Sequence, residues 1–163
     1  MNLFNKKGFT LIEVLVVLAI LTILLGLSTV AVLNIQRGQI LENNTWFIVS
    51  FLRRAQNQAL NGVSVDGTNQ VNFGIHFDPS NKKYILFQGN SFNAADPYNF
   101  PQDIPDALVL STDLPSGNNV IFSKITGRVA NFDVAHHQIT LTHPTDGRTS
   151  VINFNITGGM DVQ

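Results

Sequence analysis

The longest apolar segment of the chain stands near its beginning. Residues 9–34 read FTLIEVLVVLAILTILLGLSTVAVLN, and Glu13 is their only ionisable side chain. About 20 apolar residues suffice to cross a hydrocarbon core of roughly 30 Å as an α-helix, so the segment predicts a transmembrane helix. Because Lys6 and Lys7 precede it and the polar part of the chain follows, the positive-inside rule predicts a cytoplasmic N-terminus.

Apolar residues recur at helical spacing through residues 35–62. The recurring positions are Leu41, Ile48, Phe51, Leu52, Ala55 and Ala59. Polar residues separate them, which is the pattern of an amphipathic helix with one buried face. Asn61 and Gly62 predict the end of this helix, since glycine readily supplies the left-handed cap at a helix C-terminus.

From residue 63 onward the apolar pattern changes to the alternation of β-strands. Residues 71–77 alternate, and turn-forming residues followed by a second apolar run at 84–88 complete a predicted hairpin. Further strands are predicted at residues 107–110, 120–123, 128–132, 138–142 and 149–156, and a long proline-containing loop at residues 90–106. The predicted core phenylalanines are Phe73, Phe77, Phe87, Phe122, Phe132 and Phe154. The pattern therefore predicts an α+β fold, in which a long N-terminal α-helix packs on a small antiparallel β-domain.

Composition narrows the classes of function. The chain has 163 residues, a formal net charge of −1 and no cysteine. The absence of cysteine excludes disulfides, cysteine-ligated metals and thiol nucleophiles. A nearly neutral charge balance lacks the basic footprint of a protein that binds nucleic-acid phosphates. Because the sequence also lacks the common nucleotide-binding and hydrolase motifs, we predict no enzyme activity, no catalytic residue, no metal site and no cofactor.

The carboxylate of Glu13 requires an explanation, because a charge in a membrane-entering helix costs about 2.5–3.5 kcal/mol on insertion scales. Residues 6–13, KKGFTLIE, closely resemble the cleavage and methylation motif of the type IV pilin superfamily, which includes type II secretion pseudopilins and competence pilins. The resemblance covers the basic pair Lys6 and Lys7, Gly8, Phe9, Glu13 and the long apolar helix that follows.

The resemblance implies a pathway of maturation and assembly. A prepilin peptidase would cut between Gly8 and Phe9, removing the leader with Lys6 and Lys7, and would methylate the new amino group of Phe9. Glu13 would pair with that amino group on a neighbouring subunit and set the axial register of a filament. The chain would be a structural subunit of the bacterial inner membrane. Its partners would be other pilins or pseudopilins, membrane lipid and the membrane platform protein of the assembly machine.

The polar part of the chain most resembles the H-type minor pseudopilins, the GspH/FimT family. Residues 51–59 (FLRRAQNQA) resemble that family's helix of Leu, basic or polar residues and spaced alanines. Residues 120–122 and 126–129 resemble its strand, Gly-Arg turn and strand. The expected organisation is a prepilin leader at 1–8, a transmembrane and filament-core helix at 9–34, an amphipathic helix at 35–62 and a β-rich pilin-like domain at 63–163.

Other functions remain open at the level of sequence. A DNA-uptake minor pilin would bind DNA through Lys82 and Lys83, or through Arg128 and Arg148, although the near-neutral charge argues against nucleic acid as a partner. A plain membrane-anchored binding module would keep its leader and tolerate the loss of Glu13.

Two metal sites are also conceivable. Asp96, Asp103 and Asp106 supply the oxygen ligands that calcium prefers, within the predicted loop at residues 90–106. His137 and His143 would share a metal only if the chain folded back between them, because a regular strand would hold them about 20 Å apart.

Overall fold

The structure, a computed structural model, describes residues 8–62 and 70–163. The chain divides into two compact units, Met1–Gly38 and Gln39–Gln163. Residues 1–7, which include Lys6 and Lys7 of the predicted leader, and residues 63–69 lie outside the described residues.

One long helix, α1 (Leu11–Leu60), contributes to both units. Its C-terminal end confirms the prediction from sequence: Gly62 has a φ of 61°, and its N–H donates to the carbonyl oxygen of Ala59 at 3.2 Å. Among the described residues, we find no helix with the length and apolar character needed to cross a membrane. The transmembrane assignment of residues 9–34 stays a prediction.

The second unit combines the remainder of α1 with a short helix and two antiparallel four-stranded sheets. The elements are β1 (Phe73–Asp78), β2 (Lys83–Gln88), β3 (Phe100–Asp103), β4 (Val109–Asp113), α2 (Pro115–Asn118), β5 (Asn119–Phe122), β6 (Gln138–His143), β7 (Arg148–Phe154) and β8 (Met160–Val162). The strand orders are β3-β2-β1-β5 and β4-β6-β7-β8. The predicted α+β class and the β1–β2 hairpin are both confirmed.

A hydrophobic core joins the second half of α1 to both sheets. The six stripe positions of α1 are all buried, as their helical spacing predicts: Leu41, Ile48, Phe51, Leu52, Ala55 and Ala59. From the sheets, Ile75, Phe77, Leu141 and Ile152 are completely buried. Of the predicted core phenylalanines, Phe132 alone is only partly buried.

The long loop predicted at residues 90–106 is wrong in part, because β3 lies inside it. Pro101 is tolerated there because β3 is an edge strand, where the missing N–H of a proline can face away from the neighbouring strand without the loss of a hydrogen bond of the sheet. Strand β8 follows the last predicted strand and has three residues, too few to show an alternating pattern.

The strand predicted at residues 128–132 is also wrong, since only Val129 forms a bridge, to Phe122. The side chain of Asn131 takes over the backbone pairing at this edge of β5. Its Oδ1 accepts the N–H of Ile121 at 3.0 Å, and its Nδ2 donates to the carbonyl oxygen of Asn119 at 2.7 Å. A side chain that satisfies the edge of a strand removes the need for another strand there.

The last turns of α1 are held by the turn around Gly127. The Nε2 of Gln56 donates to the carbonyl oxygen of Gly127 at 3.0 Å, and the N–H of Ile125 donates to that of Ala59 at 2.9 Å. A Cβ at position 127 would stand 2.8 Å from Cγ of Leu60, so the close approach requires glycine. These contacts fix the end of α1 against the β-domain.

Candidate processing and assembly site

Residues 8–10 form a short segment immediately before α1. Gly8, Phe9 and Thr10 are exposed and belong to no helix or strand, and the side chain of Phe9 is 84% exposed. Within the described part of the chain, no atom lies within 4 Å of the place where a Cβ on Gly8 would stand. Among the described residues, the Gly8–Phe9 peptide bond is therefore accessible, and a larger side chain at position 8 would meet no obstacle from them.

Thr10 determines where α1 begins. Its Oγ1 accepts the N–H of Glu13 at 3.3 Å, and its carbonyl oxygen accepts the N–H of Val14 at 3.3 Å. A threonine that accepts an N–H three residues later is an N-cap, which satisfies one of the free donors of the first turn. Cleavage at Gly8–Phe9 would leave this cap intact.

Glu13 lies in the first turn of α1, where the helix dipole favours a negative charge. Together with Phe9, Val14, Val17 and Leu18 it lines an open groove of about 300 Å³. The other four side chains are apolar, so among the described residues the carboxylate is the only ionisable group that lines the groove. A groove of this composition suits an apolar helix surface that carries one positive charge.

The first turns of α1, over residues 11–25, present mainly exposed apolar side chains. About half or more of the side-chain surface is exposed at Leu11, Ile12, Val14, Leu15, Val16, Val17, Leu18, Ile20, Leu21, Ile23, Leu24 and Leu25. Contiguous apolar surface on this scale marks a site of contact with protein or membrane. The structure confirms a helix over this segment, and its role as a transmembrane and filament-core helix stays a prediction.

The three aspartates of the calcium hypothesis have separate partners. Asp96 accepts a backbone N–H of its own turn at 2.9 Å. Asp103 lies 3.6 Å from Nζ of Lys83, and Asp106 lies 3.7 Å from Nζ of Lys82. Over residues 8–62 and 70–163, no three His, Cys, Asp or Glu side chains are grouped closely enough to hold a metal ion.

The same ion pairs involve two of the basic residues considered for DNA binding. A third, Arg148, has its Nε 3.3 Å from Oδ2 of Asp146. Local acidic partners of this kind reduce the positive potential that attracts phosphates.

The histidines are also separated. His137 precedes β6 and His143 ends it, so a regular strand stands between them rather than the fold-back that a shared metal would need. The Nδ1 of His136 lies 2.5 Å from Oδ1 of Asp113, and this hydrogen bond with its ion pair raises the pKa of His136 above the ordinary value of 6.5.

Two features of the described residues were not predicted from the sequence. The cap at Thr10 could have been predicted, since Thr-x-x-Glu before an apolar run is typical of a helix N-terminus. Trp46 and Phe47 lie on α1 with 50% and 62% of their surface exposed. Helical spacing identifies the buried stripe of α1. It does not identify these two aromatic residues, because they lie outside that stripe, on the otherwise polar side of the helix.

Comparison with protein families matches residues 3–29 to the prokaryotic N-terminal methylation motif. The matched range contains Gly8, Phe9 and Glu13. This match supports the type IV pilin and pseudopilin superfamily, a structural class whose motif implies processing by prepilin peptidase and assembly with other pilins. The chain has no significant match among curated proteins or among solved structures.

Proposed function

We propose that this protein is a structural filament subunit, a minor pilin or pseudopilin of a type II secretion pseudopilus or a type IV pilus-like filament. The observation that carries the proposal is the methylation motif at residues 3–29. Its cleavage bond, Gly8–Phe9, lies in an exposed segment outside the helix, which is what a peptidase needs.

Maturation begins with removal of residues 1–8 by prepilin peptidase, followed by methylation of the Phe9 amino group. The new N-terminus then lies two residues before the start of α1 at Leu11. The positive charge of this new amino group stands beside the apolar surface of the helix. It is the complementary partner that the groove around Glu13 requires from another subunit. A buried carboxylate without such a partner is costly, so the pair favours one axial register over others.

Before assembly, the apolar half of α1 anchors the subunit in the bacterial inner membrane with the β-domain outside the cytoplasm. Assembly replaces lipid contacts by contacts with the helices of other subunits, guided by the membrane platform protein. The exposed apolar side chains of residues 11–25 support this proposal, because they lack cover from the described part of the chain itself.

Within the superfamily, we assign the chain to the H-type minor pseudopilins. Support comes from the resemblance of residues 51–59, 120–122 and 126–129 to that family. Gly127, from the Gly-Arg turn, accepts a hydrogen bond from Gln56 in the resembling stretch of α1. The two matched stretches therefore contact each other.

Cleavage is tested by intact-mass and N-terminal peptide analysis of the protein expressed with its prepilin peptidase. The expected product begins at N-methylated Phe9. Gly8→Ile should leave an uncut precursor with an unchanged fold, since no described residue lies within 4 Å of the place of a Cβ at this position. Gly26→Ile is the matched control, because a Cβ at position 26 would likewise meet no described atom within 4 Å outside its own turn of helix, and the position lies outside the cleavage site. Normal loss of the leader from Gly8→Ile would contradict the assignment of the motif.

Assembly is tested separately with Glu13→Gln, which keeps the size of the side chain and removes its charge. The cap at Thr10 uses the backbone N–H of residue 13 and therefore survives the change. We expect normal cleavage but strongly reduced incorporation into filaments. Asp161→Asn, which removes an exposed carboxylate in β8, is the control for charge loss alone. A chain that keeps Met1 beside a correctly processed control pilin would be a plain membrane-anchored protein.

A further inference from the structure

An open cleft lies in the second unit, between α1 and the strands β2 and β3. Its volume is about 790 Å³, which is within the range of sites for small molecules. Asn44 and Phe47 of α1 form one wall, and the turn at residues 80–82 together with Tyr84 of β2 forms the next. The remaining wall is residues 102–106, at the end of β3 and beyond it.

The cleft is remote from the C-terminal end of α1, after which residues 63–69 follow. Phe47 precedes Leu60, the last residue of α1, by 13 residues, which is about 20 Å along the helix axis. The two flanks of residues 63–69 lie together, because a Cβ on Gly62 would stand 2.7 Å from Cγ of Gln70. Seven residues that leave and return to one place extend at most about 14 Å from it. They are too few to reach Phe47.

Tyr84 carries a hydroxyl group that the chain leaves unused. Its side chain lines the cleft although Tyr84 is only 6% exposed, and its ring packs against Phe51 with centres 5.0 Å apart. Over residues 8–62 and 70–163 the hydroxyl has no hydrogen-bond partner, and it is not sealed inside the protein. Burial raises the pKa of Tyr84 above its ordinary value of 10.0, so the hydroxyl keeps its proton at neutral pH. Because polar groups of buried side chains normally have partners, this hydroxyl marks a place for an atom of a ligand.

Two amide side chains of the cleft present acceptors. The Nδ2 of Asn44 donates to the carbonyl oxygen of Ile40 at 2.7 Å, and the Nε2 of Gln102 donates to that of Pro101 at 2.7 Å. These bonds orient the amides and leave both side-chain oxygens without a partner among the described residues. Amide oxygens that accept, beside a hydroxyl that donates and accepts, suit a ligand with several hydroxyl groups. A phosphate or carboxylate needs donors instead.

The charged side chains of the cleft are paired with each other or with a neighbour. Lys82 donates to the carbonyl oxygen of Asp106 at 2.8 Å, and its Nζ lies 3.7 Å from the carboxylate of the same residue. Asp103 lies 3.6 Å from Nζ of Lys83. Neither an anion nor a cation would find an unpaired counter-charge in the described lining, which favours a neutral ligand.

An exposed aromatic ring completes the cleft. Phe47 is 62% exposed and lies about one helical turn after Asn44, so both side chains reach the cleft. The C–H face of a sugar packs well on an aromatic ring, because both lose apolar contact with water while the sugar hydroxyls at the edge stay free to form hydrogen bonds. An aromatic ring beside amides and a free hydroxyl is therefore suited to a saccharide.

We propose that this cleft, which we call the Tyr84 cleft, binds a neutral saccharide. One sugar ring lies on Phe47, a sugar oxygen accepts the hydroxyl of Tyr84, and sugar hydroxyls donate to the two amide oxygens. Because the cleft is open, a longer sugar chain can enter and leave it. This binding goes beyond the role of a filament subunit and does not depend on cleavage at Gly8.

Fluorine NMR tests the site directly, because the chain has only two tyrosines. The full chain, labelled with 3-fluorotyrosine in a detergent without a sugar headgroup, is titrated with maltotriose, cellobiose and N,N′-diacetylchitobiose. The signal of Tyr84, assigned with Tyr98→Phe, should shift saturably with at least one sugar at concentrations up to about 10 mM. Tyr98, which is 47% exposed and does not line the cleft, is the internal control and should not shift.

Saturation-transfer NMR of the sugar protons measures binding to variants. Tyr84→Phe keeps the ring and should raise the Kd about tenfold, whereas it should not lower the Tm, because the hydroxyl has no partner in the described chain. Phe47→Ala should also raise the Kd about tenfold. Trp46→Ala is its matched control, since Trp46 is an exposed aromatic residue of α1 outside the cleft lining, and it should leave the Kd unchanged.

Each result decides the proposal. No shift of the Tyr84 signal with any of the three sugars would overturn it. A shift with spermidine or inorganic phosphate in place of the sugars would assign the cleft to a charged ligand and also overturn it. A fall in Tm for Tyr84→Phe would give the hydroxyl a structural role instead. All these variants should be cleaved and incorporated normally, so sugar binding by a chain that is never processed would overturn only the proposed filament function.

Discussion

Gly74 in β1 should be one of the least replaceable residues of the β-domain. It lies opposite Phe87 of β2 and Ile121 of β5. A Cβ at this position would stand 2.5 Å from Cζ of Phe87 and 2.9 Å from the carbonyl oxygen of Val120. The ring of Phe87 therefore occupies the space that any other residue would need.

The ring has little freedom to move. Phe87 is only 1% exposed, and the ring of Phe92 packs against it with centres 5.7 Å apart. Phe92 in turn stacks on His76 at 4.0 Å. Moving Phe87 thus requires the loop that carries Phe92 to move as well. Relief of the second contact, between the new Cβ and the carbonyl oxygen of Val120, requires β1 to shift relative to β5.

We expect Gly74→Ala to lower the free energy of unfolding by about 2–3 kcal/mol, the upper part of the range for overpacking. With about 2.1 cal/mol/K of unfolding entropy per residue, this corresponds to a fall of roughly 10 °C in Tm for a unit the size of Gln39–Gln163. Thermal unfolding of the detergent-solubilised chain, followed by near-ultraviolet circular dichroism, measures the packed aromatic side chains directly.

Two further variants decide whether the ring is the cause. Phe87→Leu combined with Gly74→Ala should cost at least 1 kcal/mol less than the sum of the single changes, because the smaller side chain vacates the space. Gly26→Ala, where the added Cβ would meet no described atom within 4 Å outside its own turn of helix, should not lower the stability. A loss below about 0.5 kcal/mol for Gly74→Ala, or additive effects in the double variant, would refute the reasoning.

Three other predictions follow from single contacts. Ile125→Asn should raise the free energy of unfolding by about 1 kcal/mol in urea, because Ile125 is 62% exposed and has a φ of 69°, a strained value for a β-branched residue. Gln56→Ala should lower it by about 1 kcal/mol, since the hydrogen bond to Gly127 is lost. His136 has a raised pKa, so its stabilisation is complete below pH 6.5 and is lost as the pH rises through the folded-state pKa; Asp113→Asn should remove this dependence and return the pKa of His136, followed by NMR, towards 6.5.

The predictions for Ile125 and His136 each have a control within the chain. Ile156→Asn removes another exposed isoleucine, 46% exposed and without a positive φ, and should change the stability by less than about 0.5 kcal/mol. An equal gain at both isoleucines would assign the effect to surface hydrophobicity instead of backbone strain. For His136, Asp133→Asn should retain most of the raised pKa, because Asp133 contributes less than Asp113.

Local patterns account for much of the architecture. The stripe from Leu41 to Ala59 is buried as its spacing predicts, and α1 ends at the expected Asn61-Gly62. The β1–β2 hairpin follows from alternation and a polar turn. These features depend on residues close together in sequence, so the helical or strand period of the apolar residues predicts them directly. The same holds for residues 6–13, whose order of residue types is itself the signal.

Other features follow only from contacts between distant segments. Strand β3 contains a proline and lies in a polar loop, and it exists because β2 offers an unpaired edge. The side chain of Asn131 ends the pairing of β5. The alternation of apolar residues does not predict such a side-chain contact.

The chain by itself therefore determines the elements with a regular period and the N-terminal motif of Gly8, Phe9 and Glu13. Tertiary structure alone decides which strand edges are paired and why Gly74 must lack a side chain. The physical reason is that pairing and packing depend on the distance between atoms of remote residues, whereas a sequence pattern reports only the period along one segment.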